Sequence, residues 1–232
     1  MNEERLCRTA ALLGDEAMGR LADAHVLLLG LGGVGGHAFD ALLRSGVGAL
    51  TVVDFDTVSP SNMNRQLLAK KSTVGMKKTD AAVRHAAEIS DSVRLTAIEE
   101  KLTPDGVGAL LDSARFDILL DAIDDVPVKV ALAVAAKERS IPMICCLGMG
   151  NRLDPTAITV TDIAKTDTCP LARSLRVRLR KVGIDHLPVI FSREPSRPSL
   201  SADVRVASVA YVPSAAGLAL AAEAVRTLCE GI

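Results

Sequence analysis

The sequence predicts an α/β fold, a Rossmann-like, doubly wound and mainly parallel sheet with a mixed C-terminal extension. Three observations predict it. Short apolar runs alternate with amphipathic helical stretches along most of the 232 residues, the pattern of a parallel sheet covered on both faces. The first run, Val26–Leu29, breaks into the glycine-rich Gly30–Gly36 (GLGGVGG) and then opens a helix. That strand, tight turn and helix N-terminus is the geometry that holds phosphate on backbone N–H groups. The second run, Leu50–Val53, ends in Asp54, placed to hydrogen-bond the hydroxyls of a ribose.

Taken in order, the pattern predicts a leading helix to about Ala22, a strand at His25–Leu29, a helix at Gly33–Ser45 and a strand at Ala49–Val53. A helix around Gly75–Ser90, a strand at Val93–Ile98, a helix at Pro104–Asp112 and a strand at Phe116–Asp121 follow. Next come a helix at Val126–Arg139 and a strand at Pro142–Cys145. After Gly148 the pattern changes. An alternating strand, ITVTDI, precedes a basic helix at Leu171–Val182, a strand at Pro188–Phe191 and a polar loop at Ser192–Asp203. A strand at Val204–Tyr211 and a closing helix from Pro213 complete the chain. Within the polar loop, Glu194–Ser199 (EPSRPS) carries two prolines and two serines and is the best candidate for a mobile lid or disorder.

Composition bounds the function. With 49% hydrophobic residues and a mean hydropathy of +0.28, the chain can bury the core of one α/β domain. It divides into a nucleotide-binding core, 1–148, and a substrate-side extension, 149–232. A net charge of −1 exerts no global pull on nucleic acid, so an RNA site has to be a local patch. Aromatic residues make up 2% of the chain, with no Trp and one Tyr, Tyr211, which excludes a base-stacking platform. The five cysteines (Cys7, Cys145, Cys146, Cys169 and Cys229) contain no CxxC, which argues against a four-cysteine zinc and a redox motif. The four histidines are scattered without metal-ligand spacing. The polar start MNEERLCR reads as no signal peptide, so a cytoplasmic location is expected. Val206–Ala222 nears membrane length but contains Ser208, Pro213, Ser214 and Gly217, and reads as strand, turn and buried helix, with no membrane.

A glycine turn alone also suits a dinucleotide oxidoreductase or a nucleotide-binding sensor. The residues after the second strand narrow the choice: Asp56, then Ser61, Asn62, Met63, Asn64, Arg65 and Gln66. An arginine among asparagines just past the second strand suits the charge of a triphosphate and has no task in hydride transfer.

The string DFDTVSPSNMNRQ (residues 54–66), together with TVGMKK (73–78) and DAIDD (121–125), resembles the ThiF family, the adenylating enzymes related to the ubiquitin-activating proteins. RLCRTAALLG (5–14), LGMGNRLDPTAITVTDIAKTDTCPLAR (147–173) and YVPSAAGL (211–218) resemble one branch of it, the tRNA threonylcarbamoyladenosine dehydratases. The resemblance covers nearly the whole chain. It implies ATP, Mg²⁺ and tRNA as ligands, a homodimer, and cyclisation of threonylcarbamoyladenosine through a carboxyl-adenylate. An alternative is adenylation of the C-terminus of a ubiquitin-like sulfur-carrier protein, with a sulfur-transfer or carrier protein as partner.

By the same resemblance, Gly30, Gly32, Gly33 and Gly35 cradle the nucleotide and Asp54 takes the ribose. Arg65 and Lys78 sit beside the β- and γ-phosphates, Ser61, Asn62 and Asn64 add donors, and Asp56 is a second acidic contact. Asp124 matches the Mg²⁺-binding carboxylate, although Asp124 and Asp125 are also the residues that an N-cap requires. Lys78 adjoins Lys77, and only the TVG spacing selects it. Arg8 matches an arginine that crosses from the partner subunit. In the basic helix, Arg173, Arg176 and Arg180 share one face at helical spacing and are candidate tRNA contacts. Leu171, Leu175, Leu179 and Val182 make its apolar face, so an ordinary amphipathic surface helix is the competing reading. Cys169 falls where ubiquitin-activating relatives keep a crossover loop and sometimes a thiol. A cyclising enzyme needs no thioester, which favours a structural role for it.

Overall fold

The computed structural model describes residues 4–229. The predicted leading helix is two helices, α1 (Cys7–Leu13) and α2 (Asp15–Asp23), separated by Gly14 at φ +82°. The left-handed backbone there ends the first helix, a conformation that glycine adopts without steric cost. The strands β1 (His25–Leu29) and β2 (Ala49–Val53) fall where the apolar runs put them, and α3 (Gly35–Ser45) lies between them. The helix α4 (Lys78–Ala87) starts three residues later than the pattern suggested, because residues 73–77 form turns whose N–H groups bond Lys70, Val58 and Thr73. Then come β3 (Arg94–Ile98), α5 (Val107–Asp112), β4 (Ile118–Asp121), α6 (Val126–Glu138) and β5 (Met143–Cys146). The C-terminal part supplies β6 (Ile158–Asp162), α7 (Pro170–Lys181), β7 (Pro188–Ser192) and α8 (Tyr211–Cys229).

The seven strands form one sheet in the order β3-β2-β1-β4-β5-β7-β6. All are parallel except β6, which runs antiparallel to β7. Alternate strand residues therefore serve opposite cores. Leu28, Leu120, Ile144 and Ile190 pack on one face with α3 and α8, and Leu27, Leu29, Leu119 and Val189 on the other with α5, α6 and α7. Truncating a fully buried leucine such as Leu28 to Ala costs about 2–5 kcal/mol.

The sequence predicted a strand at Val204–Tyr211, and there is none. The apolar stretch from Val206 suggested it, but Val206 is 66% exposed and the segment is irregular up to Tyr211, where α8 begins. Its backbone is held largely by one residue: Asn151 Oδ1 accepts from the Ala207 N–H at 2.7 Å, and the Asn151 backbone N–H donates to the Ala207 carbonyl at 2.7 Å. The Glu194–Ser199 loop is tied down as well. The Glu194 carboxylate accepts the Leu153 and Asp154 N–H groups, both at 2.8 Å, and pairs with Arg197 at 3.1 Å.

Helix α8 is long and apolar enough to cross a membrane by length and composition. Its Val212, Ala216, Leu220 and Ala224 are buried in the core shared with α3. That matches the buried helix expected from the serines, proline and glycine of this stretch.

Candidate active site

Strand order reverses between β1 and β4, so the turns leaving these strands diverge and leave a crevice at the C-terminal edge of the sheet. A cleft of about 570 Å³ occupies it, bordered by Gly30, Gly32 and Gly33 from the first turn, Asp54–Asp56 from the second, and Ala122–Asp125 from the turn after β4. Asn62, Arg65, Gln66 and Lys78 close one side and Glu100–Leu102 the other.

Gly35 lies behind this cleft and serves packing: a Cβ on it would stand 1.8 Å from the Gly30 carbonyl. Only glycine lets the start of α3 come so close to the strand exit. Asp54 fastens the turn in place. One carboxylate oxygen accepts the Leu31 N–H at 2.7 Å and the other the Asp56 N–H at 2.8 Å. The carboxylate expected to meet a ribose is therefore already fixed on the cleft wall.

The two adjacent lysines are separated by burial. Lys77 points outward to Glu99 at 2.6 Å, whereas Lys78 is 4% exposed and turned inward. Its Nζ lies 2.6 Å from Asp56 Oδ2 and 3.7 Å from Asp54 Oδ2. Arg65 is half-buried, donates to the Ser61 carbonyl at 3.1 Å and to Asn64 Oδ1 at 2.9 Å, and has no ion pair among the described residues. Asp124 is exposed in the cleft with no cation beside it among the described residues, while Asp125 caps α6 by accepting the Val128 N–H at 2.9 Å. Of the two aspartates it is Asp125 that caps the helix, and Asp124 is left facing the cleft.

Ser61 and Asn64 do not border the cleft. Ser61 Oγ lies 2.9 Å from Ser59 Oγ, and Asn64 donates to the Ser208 carbonyl at 3.0 Å. Asn62 borders it, with Oδ1 accepting the Ser59 N–H at 3.1 Å. Arg8 lies exposed on α1 and does not line the cleft of its own chain. In α7, Arg173 and Arg180 are exposed, but Arg176 is turned against the fold, donating to the Thr166 carbonyl at 2.8 Å and to its hydroxyl at 2.6 Å. The buried face of α7 is Ala172, Leu175 and Leu179, while Val182 is 48% exposed. Cys169 is buried.

Sequence reasoning missed Lys129. It is fully buried, with Nζ 2.9 Å from Asp121 Oδ2, 2.9 Å from the Cys146 carbonyl and 3.3 Å from Cys145 Sγ. Burial alone would lower its pKa, but Asp121 more than offsets this and keeps the ammonium charged. Burial pushes the neighbouring Cys146 thiol up to about 12, so it stays protonated. Asp121 also accepts the Ile123 N–H at 3.2 Å, bracing the turn that carries Asp124. The residues Phe55 and Lys101 were missed too, with the ammonium 5.4 Å from the ring centroid. No spacing in the sequence marked either feature.

Among the described residues no three His, Cys, Asp or Glu side chains gather as a metal cage. A lone free carboxylate suits Mg²⁺, which takes one or two protein carboxylates and completes its shell with phosphate oxygens and water.

The model of the ThiF family matches residues 5–231. The chain belongs to the ThiF family. This ThiF chain is 36% identical over 241 residues to the tRNA threonylcarbamoyladenosine dehydratase of Bacillus subtilis (strain 168), covering 97% of this chain and 94% of that protein. It is 38% identical over 202 residues to the enzyme of the same name from Escherichia coli (strain K12), covering 82% and 74%. Among solved structures, the E. coli tRNA N6-threonylcarbamoyladenosine dehydratase TcdA in complex with ATP superposes with a TM-score of 0.89. That pair is 33% identical, and the match covers 97% of this ThiF chain and 93% of the other.

Proposed function

We propose that this protein is an ATP-dependent tRNA threonylcarbamoyladenosine dehydratase, acting in the cytoplasm as a homodimer with Mg²⁺. One observation carries the reading. The free cation Arg65, the free carboxylate Asp124 and the inward Lys78 meet at one cleft, in a chain similar along nearly its whole length to a dehydratase solved with ATP.

In this reading the glycine turn and the start of α3 receive the phosphates, and Asp54 receives the ribose. The threonyl carboxylate attacks the α-phosphate, the bond to the β-phosphate breaks and pyrophosphate leaves. Arg65 and Lys78 stabilise the charge that grows on the departing group, with Asn62 adding a donor. Asp124 would hold Mg²⁺, which supplies further neutralisation of the phosphates. Arg8 of a second subunit completes the cleft from outside.

The ureido nitrogen of the same side chain then attacks the acyl carbon, loses its proton, and AMP leaves with the former carboxylate oxygen. The net change in the nucleoside is loss of one water. Nucleophile and electrophile are tethered, so proximity supplies much of this step. That accounts for a site without an evident nucleophile or general base. In the basic helix, the exposed Arg173 and Arg180 would meet the RNA, and Arg176 instead braces Thr166.

The test is to incubate the protein with ATP, Mg²⁺ and tRNA carrying threonylcarbamoyladenosine, and to digest under mild, non-hydrolysing conditions. Mass spectrometry should find the nucleoside lighter by one water, with AMP and pyrophosphate released. An unmodified nucleoside, with a ubiquitin-fold carrier adenylated in its place, would overturn the reading.

A further inference from the structure

A second hollow, of about 880 Å³, runs between α6 and α7 on the face of the sheet away from α3 and α8. Two chain segments that border the nucleotide cleft also reach it. Leu102 and Asp125 border the cleft, and Pro104 and Pro127, two residues further along each segment, border the hollow. Its floor is aliphatic, with Val130, Ala131 and Val177. Its rim is cationic, with Arg173, Arg178 and Lys181. All three are exposed, and none is in an ion pair among the described residues.

A helix surface normally intersperses charges of both signs. Here one rim carries only unpaired cations, in a protein of net charge −1. Arg173 and Lys181 stand about 12 Å apart along α7, from a rise of 1.5 Å per residue. The cations therefore form a track longer than one phosphate. No aromatic residue lines the groove, so it offers bases no ring to stack on. A polyanionic backbone fits such a surface, with sugars over the aliphatic floor and phosphates at the rim.

We propose that the α6–α7 groove is the track for the phosphodiester backbone of the RNA substrate, leading the modified nucleoside into the cleft through contacts with Arg173, Arg178 and Lys181. This rests on the tRNA reading above. It adds Arg178 and Lys181 to the contact set and excludes Arg176, whose guanidinium is engaged with Thr166.

The experiment measures turnover of threonylcarbamoyladenosine-bearing tRNA across a salt series, with ATP binding by calorimetry as the control for folding. The variant Arg173→Gln/Arg178→Gln/Lys181→Gln should raise the KM for tRNA roughly tenfold or more. It should also flatten the slope of log affinity against log salt by about two to three, near one for each cation removed. Affinity for ATP should be unchanged. If the triple variant fails to bind ATP, the single variants Arg178→Gln and Lys181→Gln should each flatten the slope by about one. Wild-type turnover of tRNA with KM and slope unaffected by these variants overturns the groove and leaves the dehydratase reading intact, and an acidic protein would then be the better occupant. No turnover of tRNA by the wild type removes both.

Discussion

Lys78 Nζ lies 2.6 Å from Asp56 Oδ2 and 3.7 Å from Asp54 Oδ2, so the buried cation of the cleft is held between two carboxylates before any nucleotide arrives. An entering triphosphate competes with Asp56 for an ammonium that is already desolvated. Arg65, in contrast, waits without a carboxylate. The two cations should therefore respond differently to removal.

Arg65→Ala should slow adenylation roughly 10²-fold or more, the scale of losing one preorganised charge-stabilising donor, with the melting temperature nearly unchanged. Lys78→Ala should lose a similar rate and also stability, because Asp54 and Asp56 are left facing each other. ATP–pyrophosphate exchange and thermal melting read the two effects. Near-normal exchange in Arg65→Ala would remove it from the catalytic set.

Arg8 is exposed on α1 and outside its own cleft, so its proposed role depends on a second subunit. Mixing inactive Arg8→Ala with inactive Asp124→Ala should restore up to about a quarter of wild-type activity under random subunit exchange, since each hybrid dimer keeps one intact site. No recovery despite demonstrated exchange would place Arg8 outside the site.

The Lys129–Asp121 pair is fully buried at 2.9 Å. Removing one partner leaves a charge without compensation, so Lys129→Ala should cost about 3–5 kcal/mol in denaturant unfolding. The double change Lys129→Met with Asp121→Leu should recover much of that, because it deletes both charges and keeps volume. A single variant as stable as wild type would show that solvent reaches the pair.

Asp40 sets an acid limit. Burial raises its pKa, but hydrogen bonds from His85 and Arg44 more than offset this and carry it down to about 2. A carboxyl depressed in the folded state contributes stability above its unfolded pKa, near 4, and loses it as pH falls toward 2. Allowing for solvent screening, the contribution is about 1–2 kcal/mol. The stability gap between wild type and Asp40→Asn should be constant above pH 5 and close between pH 4 and 2. A gap that persists at pH 2 would assign it to packing.

Much of the cleft was legible because its chemistry is local in the chain. The glycine turn, Asp54, Arg65, Lys78 and Asp124 each follow a strand end or open a helix, and a strand exit carries its residues to the same edge of the sheet whatever the rest of the fold does. Asn64 lies off the cleft for the opposite reason: its amide donates to the Ser208 carbonyl, a partner far along the chain.

The sequence by itself determined the order of strands and helices from β1 to β7, the parallel core and the nucleotide turn, since hydrophobic period and glycine placement are short-range properties. Only the tertiary structure decided what depends on distant partners. The segment before α8 is irregular because Asn151 takes its ladder bonds. Arg176 turns against the fold because Thr166 lies within its reach. Lys129 is buried because Asp121 and the end of β5 meet it there. Each of these turns on a hydrogen bond whose two ends are brought together only by packing, and no periodicity along the chain records such a meeting.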